Sequence, residues 1–245
     1  KWHRDLPEDA VIKQIRIVHK NRKWYVCLSV DAEFLSDRAK TGSMIGIDLG
    51  ISHLATTSDG EFYDSPKYYI AGEKKLRILQ RSVARKQKGS KSRQKAVWKL
   101  AKFHEHISNQ RTDFLHKLTF NLVKQHDVIV LEDLKLGFMN QNKHLAKSSL
   151  DVAMGGFVSK LEYKAESAGV QVVKVDPKHT TQKCSRCGRI VKKGLSVRVH
   201  KCPCGLILDR DINAAKNILQ RGAALLGDIT CAVGQSVSSE AVCFS

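Results

Sequence analysis

Three acidic residues far apart in the chain, Asp48, Glu132 and Asp211, each stand at the end of an apolar run or the start of a helical one. Taken singly, such residues are more often caps or solvated loop residues, and it is their shared contexts that set them apart. Carboxylates are hard oxygen donors suited to Mg²⁺ or Mn²⁺, which complete their shells with water and substrate phosphate. Two such ions about 4 Å apart activate water on one side of a phosphodiester and stabilise the departing oxygen on the other. The chemistry expected of the trio is therefore hydrolysis of nucleic acid. Four cysteines, Cys184, Cys187, Cys202 and Cys204, precede the third acid. Thiolates so spaced complete a tetrahedral Zn²⁺ site and supply folding energy to a segment too small for its own core. The second pair has one intervening residue, so His200 stands as an alternative ligand if that tight turn withholds a thiolate.

The elements that must position these groups follow from local pattern. Met44-Ile45-Gly46-Ile47-Asp48-Leu49 is an apolar run, and Asp59-Gly60 further on is a hairpin signal, because the favoured turn needs positive φ. Residues 43–65 are expected to form consecutive antiparallel strands with Asp48 near the end of the first. Asp127-Val128-Ile129-Val130-Leu131-Glu132 is continuously apolar, as in a strand covered on both faces and paired in parallel. Parallel neighbours would deliver Asp48 and Glu132 to one edge, where open α/β sheets bind ligands. Ile212, Ala215 and Leu219 recur at helical spacing, so one of Asp209 and Asp211 serves as a cap and Asp211 is the better candidate to face the other acids.

Positive charge is plentiful and clustered. The 245 residues carry a formal charge of +18, with a pI near 9.7, which implies a polyanionic partner. Lys74, Lys75, Arg77, Arg81, Arg85, Lys86, Lys88, Lys91, Arg93 and Lys95 lie in one stretch, with further cations to Arg111. Leu76, Leu79 and Val83, then Val97, Leu100, Phe103 and Ile107, keep helical spacing around an interruption at Lys88-Gly89-Ser90. The pattern predicts two helices within residues 73–126 joined by a basic turn, one face packing on the sheet and the other tracking phosphates.

The remaining segments are plainer. Ile12–Val18 and Trp24–Val30 flank Asn21-Arg22-Lys23 and predict a β-hairpin, in which core packing is the favoured role for Trp24 and Tyr25, as for Trp2, over stacking on bases. A polar loop over 138–149, an amphipathic helix marked by Phe157, Leu161 and Ala165, and a strand over Val170–Val175 follow. Cys27, Cys231 and Cys243 read as small apolar residues. Beyond Arg221 the periodicity weakens and a poorly ordered tail, 222–245, is expected. There is neither a secretory leader pattern nor an apolar stretch long enough for a bilayer, so the expected location is the cytoplasm.

Gly46-Ile47-Asp48-Leu49-Gly50, Leu131-Glu132-Asp133-Leu134 and Asp209-Arg210-Asp211-Ile212-Asn213-Ala214-Ala215 resemble the three RuvC motifs of the TnpB (OrfB) family, the insertion-sequence relatives of type V CRISPR effectors. Thr180–Gly188 is similar to the first half of that family's zinc ribbon, whose second cysteine pair more commonly has two intervening residues. The resemblance implies an RNase H-like (RuvC) α/β fold with a mixed sheet, flanking helices and an inserted zinc ribbon. It implies Asp48, Glu132 and Asp211 as the catalytic carboxylates, with two Mg²⁺ or Mn²⁺ ions and a structural Zn²⁺. It implies cleavage of a DNA substrate directed by guide RNA. The organisation expected from it is a remnant of the family's wedge β-barrel at 1–40, with earlier wedge strands missing, a nuclease core at 41–179, a ribbon at 180–205 and a last helix at 206–221. The competing readings are a nuclease-inactive DNA-binding regulator and a truncated inactive fragment.

Overall fold

The computed structural model describes residue 6 and residues 8–32, 38–134, 153–194 and 197–234, the last seven by backbone alone. The chain divides into two compact units: the described parts of Lys1–Arg38 with Pro66–Leu118, and those of Ala39–Ser65 with Thr119–Ser245.

The first unit holds a hairpin and a helical pair. Strands β1 (Val11–Lys20) and β2 (Lys23–Asp31) are antiparallel, with Lys20 opposite Lys23. The turn between them is therefore only Asn21-Arg22, both at positive φ, as a type I′ hairpin requires. Trp24 is 72% exposed and Tyr25 41%, so neither packs in a core, and Cys27 is likewise exposed. A two-stranded ribbon has no interior, which is why the expected burial fails here. Trp24 instead stacks on His19 with ring centroids 4.5 Å apart.

Helix α1 (Tyr68–Ala84) begins five residues before the expected start, and α2 (Lys91–Gln125) runs unbroken for 35 residues. Gly89 at φ +82 makes the break between them, and the Ser90 hydroxyl accepts the Arg93 N–H at 3.1 Å to cap α2. Leu76 is buried, and the two helices close against each other at Gly72, where a Cβ would meet the Ile107 side chain at 2.8 Å.

The second unit is an α/β layer. Strands β3 (Met44–Leu49), β4 (Ala55–Thr57), β5 (Phe62–Tyr63), β6 (Val128–Glu132) and β7 (Gln171–Val175) form one sheet in the order β5-β4-β3-β6-β7. The first three are an antiparallel meander, and β6 and β7 continue the sheet in parallel. Gly60 takes φ +94 in the Asp59-Gly60 turn that the sequence marks. Ile45, Ile47, Ile129, Val130 and Leu131 are all buried, so β3 and β6 are covered on both faces. Each such side chain contributes about 1.5–3 kcal/mol by leaving water.

Helix α3 (Met154–Ser167) packs against β7 through a face that buries Phe157, Leu161 and Ala165. Helix α4 (Arg210–Gly234) lies across β3, β4, β6 and β7. Its contact is close because β3 carries Gly46. A Cβ there would collide with the Ala215 carbonyl and come within 2.7 Å of the Leu219 amide. Helix α4 continues through residues 222–234, correcting that part of the expected tail, while 235–245 lie outside the described residues. Ala223, Ala224, Leu225 and Leu226 are strong helix formers. Gly222 is a point of contact and not a stop: a Cβ on it would meet Val130 Cγ1 at 2.6 Å. A small two-stranded element, β8 (Val199–Lys201) with β9 (Ile207–Asp209), precedes α4. The loop expected at 138–149 and residues Trp2 and Cys243 lie outside the described residues.

Candidate active site

The parallel register pairs Ile47 with Leu131, so Asp48 and Glu132, the next residue of each strand, leave neighbouring strands at the same edge. Adjacent strands lie about 4.8 Å apart. Asp211 arrives from the first turn of α4. Asp209 caps that helix, its Oδ1 accepting the N–H groups of Asp211 at 2.8 Å and Ile212 at 3.3 Å, which leaves the Asp211 carboxylate for other partners. The Asp48 carboxyl is held well above the usual carboxylate range, first by burial and then by the negative charges of Glu132 and Asp211, against a weaker pull from Arg210. Glu132 and Asp211 therefore both lie near enough to act on Asp48.

The three acids do not close on a common point. Among the described residues, the cysteine quartet is the one set of three or more such groups whose ligand atoms all lie within 4.8 Å of one another. Asp211 is paired with cations of its own chain, Arg210 Nε at 3.1 Å and Arg198 Nη1 at 3.5 Å. The other Arg198 nitrogen, Nη2, donates to Ser52 Oγ at 2.8 Å. Glu132 accepts the Thr180 hydroxyl at 2.5 Å. Burial holds the Glu132 carboxyl above the usual carboxylate range, while the Thr180 hydroxyl and the Arg221 guanidinium draw it back and the negative charge of Asp176 adds to the rise. Buried like charges of this kind are a standing electrostatic debt that a divalent cation cancels, which is the sense in which the donor set fits Mg²⁺ or Mn²⁺.

Several of these partners were not legible in the sequence. Thr180 lies 48 positions from the glutamate that it contacts, and Arg198 lies 13 from Asp211. Arg210, between two aspartates, offered the plainest missed signal. Arg221 donates to the Asp176 carbonyl, and to that of Lys178 at 2.7 Å, tying the end of β7 to α4. Asn213 and Asn217, one turn apart on α4, both donate to the Lys183 carbonyl, at 2.8 and 2.7 Å. Asn217 also reaches the Thr180 carbonyl, and Asn213 Oδ1 accepts the Ser185 N–H. The cysteine segment is thus bolted to the helix that carries Asp211.

The four sulfurs make a compact cluster. Cys184 Sγ and Cys204 Sγ are 3.7 Å apart, and Cys187 Sγ and Cys202 Sγ 3.6 Å. A tetrahedron with Zn–S bonds of about 2.3 Å has edges of roughly 3.8 Å. Each cysteine knuckle is closed by a glycine at positive φ, Gly188 at +75 and Gly205 at +85, so the tight Cys202-Pro203-Cys204 turn still presents both thiols. His200 is not needed as a replacement. It is fully buried beside Cys184, with Nδ1 2.6 Å from Lys193 Nζ and Nε2 without a hydrogen-bond partner. An orphaned ring nitrogen against a thiol is what an N–H···S bond to a metal-bound sulfur would satisfy. Burial resists ionisation of Cys184, yet the N–H groups of Cys187 and Arg186, with His200 and Cys202, bring it down to about 6. Cys202 is pushed up to about 12 by burial and the neighbouring thiols, against the pull of a Cys204 backbone hydrogen bond. Four thiolates this close ionise together only around a cation.

The basic residues lie on α1, α2 and the turn between them. Lys74, Lys75, Arg77, Arg81, Arg85, Lys88, Lys91 and Lys95 are exposed, and Lys86 and Arg93 are half-buried. Lys75 Nζ sits 4.6 Å from the Phe103 ring centroid, and Arg77 pairs with Glu73 at 3.4 Å. No helix among the described residues is long and apolar enough to cross a membrane.

Comparison with known proteins agrees with this architecture. A family model described as probable transposase, OrfB_IS605, matches residues 25–143, and one described as Cas12f1-like, TNB domain, matches residues 155–218. A "Putative RNA-guided DNA endonuclease" of Streptomyces pristinaespiralis is 38% identical over 91% of this chain and 56% of its own length. The similarly named InsQ of Escherichia coli K12 is 34% identical over 94% of this chain and 60% of its own. The chain thus spans somewhat more than half the length of these relatives. A solved structure of a CRISPR-Cas12f ternary complex shares the fold, with a TM-score of 0.56 and 20% identity over 84% of this chain and 44% of that one. The motif resemblance and the two matched family models coincide, and the family that this chain is similar to is TnpB (OrfB).

Proposed function

We propose that this chain carries the catalytic portion of a transposon-associated, RNA-guided DNA endonuclease with an RNase H-like (RuvC) core. The observation that carries the reading is the emergence of Asp48 and Glu132 side by side from parallel strands, with Asp211 close enough to perturb Asp48. The antiparallel meander continued by two parallel strands supports the RNase H-like assignment. Asp48, Glu132 and Asp211 would hold Mg²⁺ or Mn²⁺. Such ions, when bound, activate water and neutralise charge on the transferred phosphate.

The chain's own residues do the positioning. Thr180 fixes the direction of the Glu132 carboxylate by its hydrogen bond, and the Arg221 charge favours its ionised form. Asp209, by capping α4, keeps the Asp211 main chain rigid while its side chain stays in reach of Arg198 and Arg210. The cysteine cluster, with Zn²⁺, would hold residues 180–205 as the lever that sets the start of α4. The exposed cations of α1 and α2 would bind phosphates of guide RNA or DNA without reading sequence. Names of the relatives support the guided, DNA-directed activity for this chain.

Cleavage assays with Mg²⁺ or Mn²⁺ test the reading. Asp48→Ala is expected to lower metal-dependent cutting by at least about a thousandfold, given that metal-assisted hydrolysis depends on the full ligand set, while nucleic-acid binding persists. Binding without cutting by the unsubstituted chain would favour the regulator instead.

A further inference from the structure

Where the hairpin turn meets the start of α2, the first unit has a groove of about 410 Å³, within the size range of small-ligand sites. Its lining is chemically mixed: Asn21 and Arg22 from the turn, and Arg93, Gln94 and Trp98 from α2. The Trp98 indole is half-buried and is flanked by two cations, Arg22 Cζ at 5.2 Å and Lys102 Nζ at 5.3 Å from its centroid. Indole and guanidinium planes are the surfaces on which unstacked bases settle. The side-chain amides of Asn21 and Gln94 each offer a donor and an acceptor to a base edge. Arg93 and Lys102 supply positive charge for the flanking phosphates.

Arg22 is the telling residue. Its φ of +65 is a conformation in which glycine is the ordinary occupant, as in the Asn-Gly turns of type I′ hairpins. A non-glycine residue there is unfavourable by roughly 1–2 kcal/mol. A cation–π contact at a half-open site returns about 0.5–1 kcal/mol, which does not cover that strain. An arginine held at a glycine position beside a polar groove is the mark of a side chain kept for a ligand.

The geometry points to a single-nucleotide subsite: the groove takes one unstacked base of a single strand on the Trp98 indole, the Arg22 guanidinium moving outward from its 5.2 Å contact to cover the base, with the neighbouring phosphates on Arg93 and Lys102. The site deepens the nucleic-acid reading of the helical pair and rests on it, independently of the nuclease chemistry. RNA and DNA share the base and phosphate it recognises, and the experiment separates them.

The test measures fluorescence anisotropy of labelled eight-residue oligo(U), oligo(dT) and an abasic sugar-phosphate oligomer of equal length. Each is titrated with the whole chain without Mg²⁺ or Mn²⁺. Trp98→Leu is expected to weaken binding of the base-bearing oligomers about tenfold, the effect of losing one stacking platform, and to leave the abasic oligomer unchanged. Arg22→Gly is expected to weaken binding several-fold while the melting temperature holds or rises, since the turn loses its strain. A larger loss for oligo(U) or for oligo(dT) identifies the natural strand, and either supports the site. Equal loss for the abasic oligomer in Trp98→Leu, or unchanged oligo(U) and oligo(dT) affinity in both variants, overturns it. Asp48→Ala run in parallel is expected to bind like the unsubstituted chain, so a failed cleavage assay leaves this result standing on its own.

Discussion

Removing the cation from the cysteine cluster is expected to unfold the segment around residues 180–209 and to abolish cleavage with it. Structural zinc in small domains contributes on the order of 10 kcal/mol, as much as the whole stability of an ordinary domain. Here the segment has little else to hold it. Strands β8 and β9 are three residues each, and Ile190, Val197, Val199 and Ile207 are substantially exposed. Loss would not stay local, because Asn213 and Asn217 of α4 spend their side-chain amides on the Lys183 and Thr180 carbonyls, and Thr180 in turn holds Glu132. Cys187→Ser should therefore bind less than one zinc per chain, lose a large part of its thermal stability, and fail in metal-dependent cutting. Acidification works in the same direction, since thiolates must lose their protons to bind and regain them as pH falls. Zinc content by metal analysis, read beside the melting temperature, checks this. Undiminished stability in a zinc-free Cys187→Ser chain would refute it.

A single methyl group at position 46 is expected to do comparable damage from the other side of the site. Gly46 faces the backbone of α4, where a Cβ would strike the Ala215 carbonyl and the Leu219 amide, and helix backbone does not yield as a side-chain tip does. Gly46→Ala should cost about 3 kcal/mol or more, at the upper end for overpacked cores. The larger loss is functional. Pushing α4 off β3 moves Asp211 away from Asp48, so cleavage should fall further than the fraction unfolded accounts for. Denaturant melts and activity of the folded fraction, measured together, separate the two effects. Gly222→Ala meets the branched Val130 side chain and not main chain, so it should be milder.

What the sequence disclosed and what it withheld divide along physical lines. The sheet edge was legible because strand pairing is written locally: continuous Val/Ile/Leu in 128–131 and the Asp59-Gly60 turn both report backbone geometry within a few residues. The two cysteine pairs were legible for the same reason. Arg198 and Thr180 were not, because each contacts an acid that only tertiary folding brings near, and neither was Arg221, whose charge acts on Glu132 while its guanidinium holds the Asp176 and Lys178 carbonyls. Weak periodicity misled beyond Arg221, where the helix continues and Gly222 permits contact between α4 and β6. The hairpin aromatics misled in the opposite sense: alternation predicts one buried face, but Ile15, Ile17 and Val26 are each more than 60% exposed, along with Trp24. Pattern tells which residues share a face, not whether anything covers it.

The gathering of Asp48, Glu132 and Asp211 around shared divalent cations is tested most directly by locating Mn²⁺ in crystals of the chain through its anomalous scattering. The expected result is manganese held between Asp48 and Glu132, with Asp211 turned from Arg198 and Arg210 to join them, and its loss in Glu132→Gln. Manganese bound elsewhere, or absent at saturating concentration while Asp211 keeps both arginine partners, would contradict the account.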